Sequence, residues 1–318
     1  MAKRRILGIP FPVLIILCII LIVIVVICFL AGPIGGKIFT KFFPDASLPL
    51  PEWLLVPSPE PHLPAPEIFN IGGWPITNSI IGGWITAIFL IVLSFVVTRR
   101  MRLVPRRLQM AFEFILGWMY DFCEGITGRD NTRRFFPMIA TIFLFVAFNA
   151  WLSLIPGFGS ITIGHHELIR GANTDINTPL AIALISFVFV AFYGLKDSGM
   201  GFVRTYANFG PFFRSVGQIF KGKFNLMGIF SGAIDIFVGA LEFLSMLIRI
   251  VSFTFRLFGN MTAGEILLLV TAFLIPWFLA IPFYGLELLV GFVQALIFSG
   301  LTLVFVTMAV SPHEAESH

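Results

Sequence analysis

The sequence predicts an all-α integral membrane protein, and two observations carry this prediction. Hydrophobic residues make up 58% of the 318 residues and charged residues only 12%, with a mean hydropathy of +0.95. Residues 6–36, 68–98 and 135–164 contain no Asp, Glu, Lys or Arg. Each of these stretches exceeds the ~20 residues that a helix needs to cross ~30 Å of hydrocarbon. A soluble domain of this length does not have such a composition.

About six membrane helices follow from the apolar segments in chain order. Residues 176–195 are just long enough for a fourth span, whereas the tail at 224–310 is longer and interrupted by charges. The predicted helices are residues 11–31, 80–98, 137–155, 178–195, 231–273 and 282–310. The fifth has more than forty residues, about twice the length of a perpendicular span. We therefore expect the last two helices to lie strongly tilted.

The basic residues are arranged as a topology signal rather than as a face for nucleic acid, although the net charge is +4. They precede the first span and follow the second and the fourth, so these segments are expected in the cytoplasm. The clusters are Lys3, Arg4 and Arg5; Arg99, Arg100, Arg102, Arg106 and Arg107; and Lys196, Arg204, Arg214, Lys221 and Lys223. With six spans, both termini are predicted to be cytoplasmic.

Three regions are predicted: an N-terminal membrane helix at 1–36, an external linker at 37–78 and a membrane domain at 79–318. Eight prolines between Pro44 and Pro66 favour an extended linker, because proline removes backbone donors and disfavours helix. The basic start and the apolar run resemble a signal peptide, but the run exceeds the usual ~7 to 15 residues. A retained helix is therefore expected, with cleavage near Ala31 as the alternative.

No metal, cofactor or nucleotide site is expected on this chain. Cys18, Cys28 and Cys123 lack the spacing of a metal site or a disulfide framework. The sequence from His165 to Glu167 is an isolated polar run without a second ligand cluster. Residues 217–223 resemble a phosphate-binding loop, but Phe224 follows where Ser or Thr is needed and no strand precedes the loop.

The tail carries a polar stripe along its first long helix. At ~100° per residue, six residues at spacings of 3, 4, 3, 4 and 4 fall on one side: Glu242, Ser245, Arg249, Ser252, Arg256 and Asn260. Glu265 comes ~180° away from Arg256 and is expected to face a different environment. A second stripe on the last helix, beyond Pro276, consists of Tyr284, Glu287, Gly291 and Gln294.

These polar residues have two interpretations. Serine and asparagine commonly hydrogen-bond between membrane helices, and this structural role remains open for Ser245, Ser252 and Asn260. An arginine at bilayer depth costs between ~3 and more than ~10 kcal/mol, and intramembrane ionisable residues usually mark ion paths. The Arg256, Glu265 and Glu287 side chains therefore indicate ion translocation.

The sequence resembles subunit a of the F-type ATP synthase. The resemblance rests on Arg256-Leu-Phe-Gly-Asn-Met-Thr-Ala-Gly-Glu265 and on Gln294-Ala-Leu-Ile-Phe in the last helix. Asp175-Ile-Asn-Thr-Pro-Leu-Ala, residues 149–156 and Thr307-Met-Ala also fit the family, which covers about residues 68–318. The N-terminal helix and the linker are less typical of it.

The resemblance implies a non-catalytic stator subunit beside a rotor ring of proteolipid c-type subunits, with b-type peripheral-stalk subunits and a soluble ATPase head in the complex. It implies a bacterial plasma membrane as the location. The chain would form two offset half-channels, and Arg256 matches the essential rotor-facing arginine. The outer path would contain Glu265, Glu287, Asp175 and either Asn149 or Ser153, and the cytoplasmic path Glu242 and Ser245. Arg249, Asn260 and Gln294 would support Arg256.

Two departures from the family pattern bear on the outer path. Some members have histidine where Glu287 stands, so two carboxylates would share this path here. Asn149 lies one residue farther from Pro156 than expected, which makes Ser153 the competing candidate. Carboxylates favour protons as the coupling ion, with sodium as the alternative.

A self-contained secondary transporter or channel is the alternative function. It predicts inverted repeats and paired broken helices, whereas the charged stripes here occur only in the tail. A membrane enzyme would need a nucleophile, metal or cofactor cluster.

Overall fold

The structure is a computed structural model that describes residues 5–6, 9–42, 65–99, 101, 107–155, 162–163, 166–167, 169–199, 226–274 and 280–310. Five helices in this part of the chain are long and apolar enough to cross a membrane alone: Asn78–Thr98, Arg129–Ser153, Asn177–Asp197, Phe237–Leu274 and Ala280–Val310. A sixth span results if the first two helices, which meet at a bend, are counted together. The predicted all-α membrane fold is confirmed.

The described residues form eight α-helices and three short antiparallel hairpins. The helices are α1 Phe11–Ala31, α2 Pro33–Phe42, α3 Asn78–Thr98, α4 Arg107–Thr127, α5 Arg129–Ser153, α6 Asn177–Ser198, α7 Leu226–Leu274 and α8 Ala280–Val310. The hairpins pair β1 Arg5–Ile6 with β2 Ile9–Pro10, β3 Glu67–Ile71 with β4 Trp74–Thr77, and β5 Thr162–Ile163 with β6 His166–Glu167. A 3-10 turn, Ala172–Thr174, precedes α6.

The chain divides into two compact units, and the division passes through α7 and α8. The smaller unit consists of residues 1–63 and 262–290, and the larger unit of residues 64–261 and 291–318.

Helix α5 supplies much of the core of the larger unit. Phe135, Ile139, Phe143 and Val146 are buried at helical spacing, and Met119 and Cys123 of α4 belong to the same core cluster. Burial raises the pKa of the Cys123 thiol to about 11, so this thiol stays protonated at neutral pH. The α7 and α8 segments of this unit meet where the Phe253 and Phe298 ring centroids are 4.8 Å apart.

Hydroxyl side chains inside the helices mostly bond to their own backbone. Thr302 donates to the carbonyl of Phe298 at 2.9 Å, and its hydroxyl also lies 2.7 Å from the Ser186 hydroxyl of α6. The same bond to a carbonyl four residues earlier is made by Thr86, Thr98, Thr141, Thr254, Thr271, Ser299 and Thr307. These hydroxyls therefore have a partner without help from another helix.

The structure adds helices that the sequence analysis did not predict. Helix α4 lies between the second and third predicted spans, and α5 begins at Arg129 rather than at residue 137. Pro137 lies inside α5 and does not begin it. Helix α2 and the β3–β4 hairpin lie at the two ends of the segment predicted as a linker.

Candidate functional site

Part of α7 in the larger unit buries one side and leaves another uncovered. Phe253, Leu257 and Met261, which are four residues apart, are buried in the core cluster. The predicted polar stripe lies beside this buried side. Its residues Glu242, Ser245, Ser252 and Arg256 are exposed, and Arg249 and Asn260 are partly buried. We call these six residues the α7 stripe, and no described part of the chain covers its four exposed members.

Arg256 has no carboxylate partner among the described residues. Its guanidinium carbon lies 5.9 Å from the centroid of the Phe253 ring, a distance that gives at most a weak cation–π attraction. Large apolar side chains such as Ile248 and Phe255 are exposed nearby on the same helix. The uncovered surface thus combines a permanent positive charge with apolar area, which suits a partner that is apolar except for a negative charge.

Arg249 is held differently from Arg256, although both belong to the α7 stripe. Its guanidinium carbon lies 4.2 Å from the centroid of the Phe305 ring of α8. This closer stacking directs the cation toward the core of the larger unit. Arg249 therefore packs against α8 at the edge of the stripe.

A second group of polar residues surrounds the segment 171–175 of the larger unit. Asp175 accepts hydrogen bonds from the Ser79 hydroxyl at 2.8 Å, the Thr77 hydroxyl at 3.5 Å and the Asn177 backbone N–H at 3.3 Å. Asn149 of α5 accepts one from the Ala172 N–H at 3.1 Å. We call Thr77, Ser79, Asn149, Asn173 and Asp175 the polar cluster.

Close backbone approach fixes the polar cluster. A Cβ at Gly82 of α3 would collide with the backbone carbonyl of Arg170, and a Cβ at Gly83 would lie 3.3 Å from that of Ala172. A Cβ at Gly171 would lie 3.0 Å from the Cβ of Ser153. Glycine at these positions lets the segment pack directly against α3 and α5.

The two competing residues Asn149 and Ser153 both reach this segment, but they differ in hydrogen bonding. The Ser153 hydroxyl donates to the carbonyl of Ala150 at 2.8 Å, within its own helix. Asn149 is only 2% exposed and its side-chain N–H₂ has no partner. Of the two, only Asn149 offers a buried donor that is still free to bind water or a proton carrier.

Glu287 and Glu265 belong to the smaller unit. Glu287 is 6% exposed, and its carboxylate occupies the space that a Cβ at Gly264 would need. Glu265 is partly buried. Residue 264 can therefore only be glycine if the Glu287 carboxylate is to stay where it is.

Gln294 lies in the larger unit, where α8 approaches α5 closely. A Cβ at Gly291 would lie 2.7 Å from the Cβ of Ala150. Gln294, three residues later, is 5% exposed and its side-chain nitrogen has no partner. This nitrogen is a second buried donor without a hydrogen bond.

The sequence analysis missed Thr77, Ser79 and Asn173. Asn173 is 0% exposed and neither its side-chain oxygen nor its nitrogen has a partner. In the sequence, its position two residues before Asp175 was the feature that could have indicated a place in the polar cluster. The described residues contain no group of three or more possible metal ligands. His165 and the loop-like sequence at 217–224 lie outside the described residues.

Comparisons with known proteins agree on one family. The model of the family described as "ATP synthase A chain" matches residues 80–307. ATP synthase subunit a of Gloeobacter violaceus is 34% identical over 237 residues, which are 74% of this chain and 85% of that protein. ATP synthase subunit a of Campylobacter curvus is 33% identical, over 72% and 89% of the two chains. ATP synthase subunit a of Moorella thermoacetica is 27% identical, over 79% and 99%.

Proposed function

Because the chain belongs to the ATP synthase A chain family, we propose that it is the proton-translocating stator subunit of a rotary F-type ATP synthase. The observation that supports this role most directly is the uncovered α7 stripe with Arg256. The proposed occupant of this surface is a ring of proteolipid subunits, each with a carboxylate at mid-membrane. Such a ring has the chemistry that the stripe requires, an apolar surface with one negative charge per subunit.

Arg256 attracts each arriving ring carboxylate and favours its ionised form, since an opposite charge within a few Å stabilises the charged state. The ring site therefore releases its proton as it approaches. The fixed cation also prevents protons from passing directly between the two access paths. Arginine is suited to both tasks because it stays protonated and presents a planar set of donors to a carboxylate.

Two offset half-channels bring protons to the ring and take them away. The outer one comprises Asp175, Asn149 or Ser153, Glu265 and Glu287. The cytoplasmic one comprises Glu242 and Ser245, while Asn260, Gln294 and Arg249 support Arg256. The partly free amide of Asn149 supports the outer assignment, because it leaves a buried donor for water. Each charge that crosses releases about 2.3 kcal/mol per 100 mV.

The same proposal includes the assembly and its location. The chain is held by b-type stalk subunits and coupled through the complex to a soluble ATPase head, in the plasma membrane of a bacterium. Both termini are cytoplasmic, and the division into a helix at 1–36, a linker at 37–78 and a membrane domain at 79–318 is retained. The last two helices are strongly tilted to follow the ring. The 49 residues of α7 support the tilt, because they would extend ~74 Å along the helix axis.

Arg256→Ala in the whole complex tests the proposal. We expect ATP-driven acidification of inverted membrane vesicles to disappear while the subunit composition of the complex stays normal. Arg256→Lys is expected to lose most of the activity, because a point charge replaces the planar guanidinium.

Arg133→Ala is the matched control, since Arg133 is an exposed arginine outside the proposed proton path. It is expected to pump at the normal rate. Pumping by intact complexes with Arg256→Ala would refute the role of the stripe. Ion transport by the purified chain alone, without ring subunits, would instead indicate a self-contained transporter.

A further inference from the structure

Helix α2 turns sharply away from α1 in the smaller unit. The two helices are bent by 88° at Gly32. Gly35 is required just after the bend, because a Cβ there would collide with the carbonyl of Phe29. Helix α1 has 21 residues, which is ~31 Å of helix and enough to cross the hydrocarbon alone. By length, α1 matches the thickness of the hydrocarbon without α2, and a single broken span made of both helices is the alternative.

One side of α2 is apolar and exposed. At ~100° per residue, Ile34, Ile38, Phe39 and Phe42 fall within an arc of ~140°. Ile34, Ile38 and Phe42 are 37%, 44% and 74% exposed. No described residue covers these three side chains, although together they form a continuous apolar strip along the helix.

The two lysines of α2 follow one border of this strip. Lys37 and Lys41 are four residues apart, both are exposed, and they lie ~20° to 60° from the edge formed by Ile34. Long basic side chains at such a border place their stems on apolar surface and their charges at the level of lipid headgroups. Apolar side chains on one face with lysines at its edge are typical of helices that lie in a membrane interface.

We propose that α2 is an interfacial anchor that lies flat on the bilayer at the outer end of α1. Ile34, Ile38 and Phe42 insert into the boundary of the acyl chains, and Lys37 and Lys41 bind anionic phospholipid headgroups. The right-angle bend supports this arrangement, because a helix perpendicular to a spanning helix runs parallel to the membrane plane. The anchor would hold the outer end of α1 at a fixed depth, independently of whether the α7 stripe faces a rotor.

Spin labels in the whole complex, reconstituted in lipid vesicles, test the anchor. Single cysteines are introduced as Ile38→Cys, Phe42→Cys and Lys37→Cys in a chain whose native cysteines are replaced by alanine. Labels at 38 and 42 are expected ~5 to 10 Å below the headgroup boundary, with greater access to oxygen than to a water-soluble nickel reagent. The label at 37 is expected to show the reverse. Ile22→Cys in α1 and Glu67→Cys in β3 serve as lipid and water references.

Three outcomes would overturn the anchor. Nickel access at all three α2 positions would put the helix in water. If oxygen but not nickel reaches the labels at positions 37, 38 and 42, as at position 22, then α2 is the second half of a broken span. Immobile labels that neither reagent reaches would indicate a protein partner.

The role of the lysines is tested separately by Lys37→Gln with Lys41→Gln. In vesicles that contain phosphatidylglycerol, this double substitution is expected to change the depth of the label at position 38. In vesicles of phosphatidylcholine alone, it is expected to leave that depth unchanged. An equal result in both vesicle types would overturn the proposed contact with anionic lipid.

Discussion

The α7 stripe and the polar cluster belong to the same unit and contain similar side chains, but they differ in what surrounds them. In the polar cluster, Asp175 accepts hydrogen bonds from Ser79 and Thr77, and glycines at positions 82 and 83 let residues 170–172 pack closely against α3. In the α7 stripe, Arg256 has neither a carboxylate partner nor a cover in the described chain. Asp175 has its hydrogen-bond donors within the chain, whereas Arg256 has no such partner among the described residues.

This difference separates two uses of polar residues in a membrane. A carboxylate with several donors around it is stable where it stands and fixes the segments that supply the donors. A bare guanidinium has a large desolvation cost in lipid, and only an external anion or water removes that cost. Exposure therefore separates a surface that a partner can cover from side chains that already have hydrogen-bond donors within the chain, where residue type alone does not.

Among substitutions that leave the charges in place, the largest expected effect comes from filling the uncovered face at Gly259. No atom lies within 4 Å of a Cβ built there, so Gly259→Val fits the chain itself. If the ring packs on this face, the added side chain obstructs it at a cost of ~1 to 3 kcal/mol, and pumping falls by about fivefold to 150-fold. ATP-driven acidification of vesicles measures this effect.

Gly125→Val in α4 is the matched control for Gly259→Val, since Gly125 is also exposed and has open space around a Cβ. It is expected to leave pumping nearly unchanged. Equal pumping by both variants would mean that no ring passes over Gly259, and the comparison between the two regions would lose its functional meaning.

The second effect concerns the polar cluster and is one of stability. Gly82→Ala places a methyl group against the carbonyl of Arg170, and overpacking of this kind costs ~1 to 3 kcal/mol. We expect less assembled subunit and a lower temperature of heat dissociation, with a normal rate per assembled complex. Gly125→Ala, without such a contact, is the control, and equal heat stability of the two variants would contradict the tight packing described for α3.

The smallest expected effect is that of Ser79→Ala. It removes the 2.8 Å donor to Asp175 but leaves the Asn177 backbone N–H in place. A loss of ~0.5 to 1.5 kcal/mol in stability is expected for one hydrogen bond among several to the same carboxylate, measured by heat dissociation of the complex. A strong loss of pumping with unchanged stability would show that Ser79 takes part in proton transfer and is not merely structural.

The sequence was sufficient for the spanning helices because hydropathy reports directly on lipid-exposed segments. It was insufficient for α4, because this helix contains charged residues and therefore does not stand out by hydropathy. Among them are Glu113, Asp121 and Glu124. The predicted start of α5 at residue 137 is also wrong, because Pro137, a residue type that favours the first turn of a helix, lies inside α5. A helix continues through proline where other groups satisfy the freed backbone carbonyl.

The sequence predicted the positions of the polar residues along the helices, but not their burial or their hydrogen-bond partners. Helical periodicity gave the spacing of the α7 stripe, and the structure adds which of its members are exposed. The bonds from Ser79 to Asp175 and from Ala172 to Asn149 join residues 96 and 23 positions apart, which no local pattern encodes. Asn173 was missed for the same reason, since its burial comes from the turn that carries it.

The hydroxyls that bond to carbonyls one turn earlier have a consequence for how the chain enters the membrane during synthesis. A threonine whose hydroxyl is already bonded to its own helix, such as Thr254 or Thr271, presents mainly its methyl group to the surroundings. A nascent helix segment with such hydroxyls can then pass into lipid before its neighbours are made, because these hydroxyls need no partner from a later helix. These segments can therefore enter the membrane in the order of synthesis, whatever the order in which the helices later pack.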